Sequence, residues 1–575
     1  METPTTYYSR WRPRYHIQPL KGWLNDPCGP GYSPQTGLYH VAFQWNPNAP
    51  RWGNIVWGVA WSRDLCAWEV SDFPSISFQS DDGCKGIFTG CLRPTNVEGE
   101  ADGTMTIIYT SAHHLPIHYT RQYVRGSERI HLATSTDNGK TWDRHSSNPI
   151  LPGPPLDLEV TGWRDPFIAP WESMDKILNH DGRHSLYAVI SGSIKDQTPT
   201  TLLYRVLPNA LDNWEYIGPL ARLGMNFCPP GSNADYGKNW EVTNFVSLVD
   251  KSGISHEFLI MGIEGCMMRP GAEKKTKMRA HSAQLWMGGK IDAPGGKPSM
   301  TYEYGGRLDH GSFYAANSFW DPVGKKNILF GWILEDDLPE PLREEQGWAG
   351  MLSLPRMLEL IEMKFVCGTW KSDIEDLVSF EKSQDDQGTY TLRTLAAVPD
   401  PRLKKLRGTS LSAPKSAGDA LHFPVPLPCF ECETSLSLHR GIQKAGFSIL
   451  HSLDGSNKTS LFFDAEGENF TIDRSKSTAV SGINTSPEIA PHTLLKFKDE
   501  SGEITNETLD IRLLYDVSVL EVFVNGRTAI TTRVYPESGM CFGVETFYES
   551  KDGDERPDFK RFDIWEISAD RLVQA

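Results

Sequence analysis

The sequence predicts an all-β protein, a five-bladed β-propeller followed by a C-terminal β-sandwich. Three observations carry that expectation. From about residue 37 to about 360, short apolar runs alternate with Gly, Pro, Asn and Asp; no long segment sustains a 3.6-residue period; and an Asp-containing turn ending in Trp recurs. So many short strands exceed one sandwich, and repeated four-stranded units closed radially protect their edges.

Taken in order, the strand-like runs are 37–45, 54–61, 104–110, 129–134, 185–191, 200–206, 241–248, 257–262, 281–286, 312–319 and 327–333. The recurring turn is Ser62-Arg63-Asp64-Leu65-Cys66-Ala67-Trp68, echoed by Ser135-Thr136-Asp137-Asn138-Gly139-Lys140-Thr141-Trp142 and more faintly by Leu211-Asp212-Asn213-Trp214. Its Asp can bond the backbone beyond it while the Trp packs between neighbouring sheets. About five such units are counted. Residues 399–407 read as a short basic helical linker with Gly408 as its stop, and the runs 432–439, 447–452, 459–464, 508–515, 517–525 and 528–536 have the spacing of a sandwich. Asn525-Gly526 is a strong hairpin signal. The expected division is a propeller over 1–395, a linker with a short helix over 396–410 and a sandwich over 411–575.

A chain of 575 residues favours two domains over one. Its 18 Trp, 19 Tyr and 25 Phe serve mainly as packing, with a minority available to stack on a ligand. A net charge of −16 opposes nucleic acid and anionic membranes and makes a neutral small molecule the simpler partner. No stretch approaches the roughly 18 apolar residues of a membrane span. The start, Met1 to Arg10, lacks the charged-then-apolar pattern of a secretory leader, which favours the cytoplasm; the alternative is a secreted protein whose leader was removed. Acceptor triplets at Asn457, Asn469, Asn484 and Asn506 would then carry glycans. The ten Cys show neither the density of a disulfide scaffold nor a zinc spacing, Cys429-Phe430-Glu431-Cys432 having no matching second pair, and no cofactor is expected. Oligomeric state is left open, a homodimer included.

Three acidic motifs in aromatic surroundings suggest sugar chemistry: Trp23-Leu24-Asn25-Asp26-Pro27-Cys28-Gly29, Trp163-Arg164-Asp165-Pro166-Phe167 and Asn239-Trp240-Glu241-Val242. Singly, each has a bland reading: a self-capping turn, a structural ion pair, a solvent-facing strand residue. Together they match the needs of glycosidic cleavage with retention, in which one carboxylate attacks the anomeric carbon and a carboxylic acid about 5 Å away protonates the leaving oxygen. The acids are 139 and 76 residues apart, as suits different blades converging on one funnel. Asp26 sits among turn donors that favour the carboxylate a nucleophile needs. Glu241 has apolar neighbours that would hold a proton for a general acid. Arg164 would keep Asp165 ionised to accept hydrogen bonds from a pair of sugar hydroxyls.

These motifs, with Phe88-Thr89-Gly90, Asp309-His310-Gly311-Ser312-Phe313-Tyr314-Ala315, Leu352-Ser353-Leu354-Pro355-Arg356 and Glu521-Val522-Phe523-Val524-Asn525-Gly526, resemble glycoside hydrolase family 32 over nearly the whole chain. That family comprises invertases, inulinases and fungal fructosyltransferases. The resemblance implies a five-bladed propeller joined to a sandwich, acting without a metal on β-fructofuranosides such as sucrose and short fructo-oligosaccharides. By position it implies Asp26 as nucleophile, Asp165 as transition-state stabiliser bound to the fructose 3- and 4-hydroxyls, and Glu241 as acid/base. It places Asn25, Gln44, Trp52, Phe88, Thr89 and Arg164 in the fructose pocket. Cys28, Thr89 and Val242-Thr243 depart from many invertases and look more like fungal enzymes with transfructosylating capacity. Glu264 and His281, near predicted strand ends after Glu241, are candidates for the acceptor side, against the reading of a solvent-facing pair.

The competing expectations are a predominantly transferring sucrose fructosyltransferase, a non-catalytic carbohydrate-binding propeller, and a sialidase-like enzyme. The last would need an Arg cluster and commonly a Tyr nucleophile.

Overall fold

The computed structural model describes residues 10–78, 83–178, 184–267, 277–411, 422–551 and 556–567. The Met1–Arg10 segment therefore lies outside the described residues except for Arg10. Before residue 400 the chain builds five sheets in sequence. They begin with the strands Gly22–Ser33, Gly86–Arg93, Val160–Pro170, Asn239–Val249 and Phe313–Asp321. Each of these first strands touches the first strand of the next sheet, and the fifth touches the first again. Inner strands converging on a common axis are the signature of a propeller. A parallel pairing of Gly22 with Trp348 and Trp23 with Ala349 ties the first sheet to the chain between Lys326–Ile333 and Arg356–Thr369 of the fifth.

Strands packed between two neighbouring sheets lose period-2 patterning because both faces are covered; all nine residues of Leu186–Ile194 are buried. The recurring turns do what their sequence implies. Asp64 Oδ1 accepts from the backbone N–H of Cys66 (2.9 Å) and Ala67 (3.1 Å), and Asp137 Oδ1 from that of Thr141 (3.0 Å). Gly139 follows Asn138 at positive φ, and a Cβ there would meet His40 Nε2 at 2.4 Å, so the second turn packs onto the first sheet through a glycine. The third echo differs: Leu211 to Trp214 lie within the strand Ala210–Pro219, and only the Trp214 Nε1 to Leu211 O bond (2.8 Å) keeps the likeness.

Each of the five inner strands carries a register shift near its middle. Asn25 and Asp26 fall between the pairs Leu24↔Trp45 and Pro27↔Phe43. Phe88 and Thr89 fall between Ile87↔Ser111 and Gly90↔Tyr109. Asp165 is the extra residue between Arg164↔Ser191 and Pro166↔Ile190. Val242 and Thr243, and Ala315 and Ala316, occupy the corresponding places in the last two sheets. These are β-bulges, which re-aim side chains and release backbone N–H groups from the ladder. Neighbouring sheets take the released donors: Asp165 N–H donates to Thr110 Oγ1 (2.8 Å), Thr243 N–H to Ser191 Oγ (2.7 Å) and Ala316 N–H to Gln284 Oε1 (3.0 Å).

Beyond residue 400 two six-stranded sheets form a sandwich over a core that includes Phe430, Phe447, Phe463, Leu513 and Val522. Asn525 and Gly526 both take positive φ between Val524 and Thr528, as the hairpin signal requires. Two expectations need correction. The linker helix is a 3-10 helix over Pro401–Leu406, capped by Asp400, and Gly408 is not its stop; Arg407–Ser410 continues as an edge strand of the sandwich against Asp558–Ile567. The segment 411–575 is not wholly sandwich either. The hairpin of Leu495–Lys498 and Ile504–Asn506 leaves it and pairs with Arg356–Thr369, whose long edge would otherwise expose unpaired backbone groups.

Three family-like motifs whose role the sequence left open meet between the two halves. Arg356 Nη1 donates to Asp309 Oδ2 (2.9 Å), and its Nη2 and Nε donate to Glu521 Oε2 (2.6 and 3.0 Å), all with fully buried side chains. Burial alone would raise Glu521, but Arg356 and His16 hold it down at about 2. His16 in turn bonds Asp516 (2.7 Å) and Glu521 (3.1 Å); burial would lower its pKa, and those two carboxylates raise it to about 9. Truncation of Arg356 to Ala removes the guanidinium shared by two buried carboxylates and is expected to cost about 3–5 kcal/mol, read as a lower urea midpoint. Truncation of Arg205, paired with the exposed Glu215, should stay within about 1 kcal/mol of the parent.

Candidate active site

The bulges bring the three acidic motifs to one place. Asp26, expected in a turn, instead lies within the strand Gly22–Ser33, where the bulge lets its side chain leave the ladder. Its carboxylate is partly buried. Thr89 Oγ1 (2.6 Å) and Gln44 Nε2 (3.2 Å) donate to Oδ2, and Asn25 Nδ2 (3.1 Å) to Oδ1. Gln44 also bonds Asn25 and Thr89, and Trp23 Nε1 donates to Asn25 Oδ1 (3.2 Å). Three of the expected pocket residues, Asn25, Gln44 and Thr89, thus form one amide and hydroxyl cradle with Asp26. Phe88 meets Trp52 edge-on at 6.1 Å, and Trp52 keeps 48% of its surface exposed beside the cradle.

Electrostatics around Asp26 differ from the sequence reading. The donors favour the carboxylate, but burial and the nearby Glu241 outweigh them, and the pKa stands at about 6. Asp165 takes φ 62°, is buried, and accepts from the Val242 backbone N–H through Oδ2 (3.1 Å). Its pKa is also pushed well up, first by burial and then by Glu241 and Asp26, against the pull of Arg164. The expectation that Arg164 would hold Asp165 ionised fails for a geometric reason. Arg164 Nε is 4.0 Å from Asp165 Oδ2, while the guanidinium bonds three glutamates.

Those bonds define the other wall. Arg164 Nε and Nη2 donate to Glu241 Oε1 (3.1 and 2.8 Å), Nη2 also to Glu264 Oε2 (3.0 Å), and Nη1 to Glu128 Oε1 (2.9 Å). Glu241 Oε2 accepts from the Tyr314 hydroxyl (2.8 Å), whose ionisation is strongly opposed by burial and by Glu241 and Glu264. Glu264 also accepts from Asn239 Nδ2 (2.9 Å); burial and then Glu241 raise its pKa to about 7. Glu264 is therefore tied to the acidic cluster rather than facing solvent as one of a surface pair. His281 is placed differently: at the end of the helix Lys277–His281, its Nδ1 lies 3.0 Å from the Cys266 carbonyl, one residue before Ser282, which pairs with Glu264.

Three residues of this cluster were missed as site residues in the sequence: Glu128, Asn239 and Tyr314. Tyr314 and Asn239 lie inside quoted motifs, but neither is an acid and nothing in the motif singled them out. Glu128 had a usable signal, since it shares strand parity with Ile130 and Leu132, both fully buried, and a carboxylate on a covered face demands a cation.

Carboxylates of unequal proton affinity gathered from several inner strands, with amide and hydroxyl donors and exposed aromatic surface, on an all-β propeller, define a glycosidase. The profile for the glycosyl hydrolases family 32 N-terminal domain matches residues 16–368, and that for the family 32 C terminal matches 402–566. The chain belongs to glycoside hydrolase family 32. An acid beta-fructofuranosidase of Solanum lycopersicum is 27% identical over 93% of this chain and 79% of its own length. Among solved structures, Aspergillus kawachii beta-fructofuranosidase complexed with glycerol has a TM-score of 0.85 at 27% identity, covering 98% of this chain and 95% of that one. The fructosyltransferase of A. japonicus gives 0.84 at 25%, covering 98% and 96%. The non-catalytic and sialidase-like alternatives are set aside by this membership.

The Thr89 hydroxyl favours ionised Asp26, so Thr89→Val should move the Asp26 titration above about 6 and shift the acid limb of the activity profile to higher pH. Thr89→Ser, which keeps the donor, should leave that limb in place.

Proposed function

We propose that the protein is a retaining β-fructofuranosidase acting on sucrose and short fructo-oligosaccharides, with transfructosylation at high sucrose. The reading rests on one observation: Asp26, Asp165 and Glu241, far apart in sequence, occupy bulges or bulge borders of three inner strands and perturb one another electrostatically. The names of the relatives support fructosides as the substrate class. The five sheets are read as five blades, with the catalytic half ending and the sandwich beginning around 396–410.

In the first displacement Asp26 attacks the anomeric carbon of the fructosyl unit and the bond to the leaving oxygen breaks. The Glu241 proton goes to that oxygen. Asp165 accepts hydrogen bonds from the two vicinal hydroxyls of the ring, which tighten as positive charge develops. In the second displacement Glu241 takes a proton from water or from a sugar hydroxyl, the new oxygen bonds the anomeric carbon, and Asp26 leaves as carboxylate. Asn25, Gln44 and Thr89 hold Asp26 in line, Trp52 and Phe88 offer apolar surface to the ring, and Arg164 positions Glu241. Tyr314 and Arg164 each hold a different oxygen of Glu241, which fixes its rotamer.

Predominant transfer is the second reading, favoured by the likeness to the A. japonicus fructosyltransferase and by Glu264 beside the acid/base. Glu264 and His281 would orient an incoming sugar. Asp26→Ala and Glu241→Ala should each lower sucrose turnover by several orders of magnitude with the fold intact, and azide should restore part of the Glu241→Ala rate. The first-formed product should keep the β-configuration, as NMR of early product reads; an α-anomer contradicts double displacement. Glu264→Ala and His281→Ala should lower the transfer-to-hydrolysis ratio at high sucrose, and an unchanged product profile removes them from the acceptor side.

A further inference from the structure

Arg164 is a single guanidinium bonded to Glu128, Glu241 and Glu264, so what it offers Glu241 depends on what the other two take from it. Glu128 is the deepest of the three, with a fully buried side chain on the adjacent sheet at the start of Glu128–Ser135. Its two oxygens are both engaged by N–H donors: Oε1 by Arg164 Nη1 (2.9 Å) and Oε2 by the Trp163 backbone (2.8 Å). That is the bonding of a carboxylate, and it grips Arg164 twice, at its tip and at the residue before it. Gly162 leaves room for the grip, since a Cβ there would stand 2.7 Å from Arg164 Nη1. The Glu128 side chain itself is closed to solvent.

We propose that Glu128 is a positioning residue for the reaction: it pins the far end of the Arg164 guanidinium and balances its charge, so that Arg164 orients Glu241 without capturing it as a permanent anion. The inference rests on the assignment of Glu241 as the acid/base. The titratable groups facing this cluster come from four of the inner strands, from the end of Ser255–Glu264 and from the loop at 119–123. They are Asp26, Asp165, Glu241, Glu264 and Tyr314, with Tyr123 beside Glu128 and Tyr119 beside Glu264. Among them Arg164 supplies the bonded cation. Removal of the Glu128 charge leaves that cation less compensated, which favours the ionised form of the remaining carboxylates; Glu264, whose proton affinity Glu128 helps to raise, should respond in the same direction. An acid that must be protonated at the start of each turnover then loses its proton at lower pH.

The test is the pH profile of kcat/KM for sucrose in Glu128→Gln and Glu128→Asp, with thermal melting as a check on folding. Glu128→Gln keeps the shape and loses the charge; its alkaline limb should move down by about one pH unit, with activity near neutral pH about tenfold lower and activity at the acid end within about threefold of the parent. Glu128→Asp keeps the charge but withdraws it by one methylene, so kcat should fall about tenfold while the alkaline limb moves less than in Glu128→Gln. A purely structural role would lower both profiles in parallel. Parallel profiles in Glu128→Gln, or an unchanged kcat in a folded Glu128→Asp, overturn the proposal. The second variant decides alone if the first does not fold. Carboxyl titration by 13C NMR of glutamate-labelled enzyme separates this idea from the substrate reading. A lowered titration in Glu128→Gln without sucrose turnover in the parent would support the positioning role and sink the substrate, whereas normal turnover with an unmoved titration would do the reverse.

Discussion

The surplus residue at the middle of each inner strand is the constraint on which the rest of the molecule depends. A regular ladder would turn alternate side chains into the packed layers between sheets and leave the axis lined by hydrogen-bonded backbone. The bulge breaks that rule once per strand, at the cost of a local conformation that most side chains avoid: Asp165, Val242 and Ala315 all take positive φ. The freed N–H groups would be liabilities in isolation. Here those of Asp165, Thr243 and Ala316 are bonded by the sheet next door, so the distortion in one sheet is held by another. Asn317 continues the pattern by donating through one amide nitrogen to the carbonyls of both Pro27 and Gly90 (3.1 Å each). The same devices that hold the ring aim its acids.

Charge supply is the second organising fact. Asp26, Asp165, Glu241, Glu264 and Glu128 crowd a site in which the bonded cation is Arg164. Buried carboxylates in excess of their cations retain protons, and which of them does so is decided by local donors. Asp26 has three side-chain donors and settles at about 6; Glu264 has Arg164 and Asn239 and settles at about 7. Two carboxyl groups that both feel Glu241 are thus set apart in proton affinity by different donor sets.

Much of the architecture was legible because sheets announce themselves by period and turn chemistry. The strand runs between 37 and 333 fall on observed strands, the Asp64 and Asp137 turns bond as their sequences imply, and Asn525-Gly526 makes its hairpin. What escaped has a common cause. The strands Gly22–Ser33, Gly86–Arg93 and Val160–Pro170 were not recognised as strands, and each contains candidate residues in a bulge. Asn25-Asp26-Pro27 looks like a turn because a bulge calls for the same residues that a turn does, and local sequence does not distinguish a kink inside a ladder from the end of one. The acids themselves could be found from their aromatic company. The raised proton affinity of Asp26 and Asp165 could not, because it comes from burial and from Glu241, which other sheets bring into place.

The contact between the halves has an implication for how such chains can change. Arg356 is shared between Asp309 of the last propeller sheet and Glu521 of the sandwich, His16 near the start of the chain bonds Asp516 and Glu521 near its end, and a hairpin from the C-terminal half completes a propeller sheet. A lineage cannot readily drop the downstream module or exchange it for an unrelated one, since either event would strand ionised groups in a dry interior. Recombination between relatives should therefore succeed when both halves travel as a matched set, and substitutions on one side of the seam should be accompanied by answering substitutions on the other.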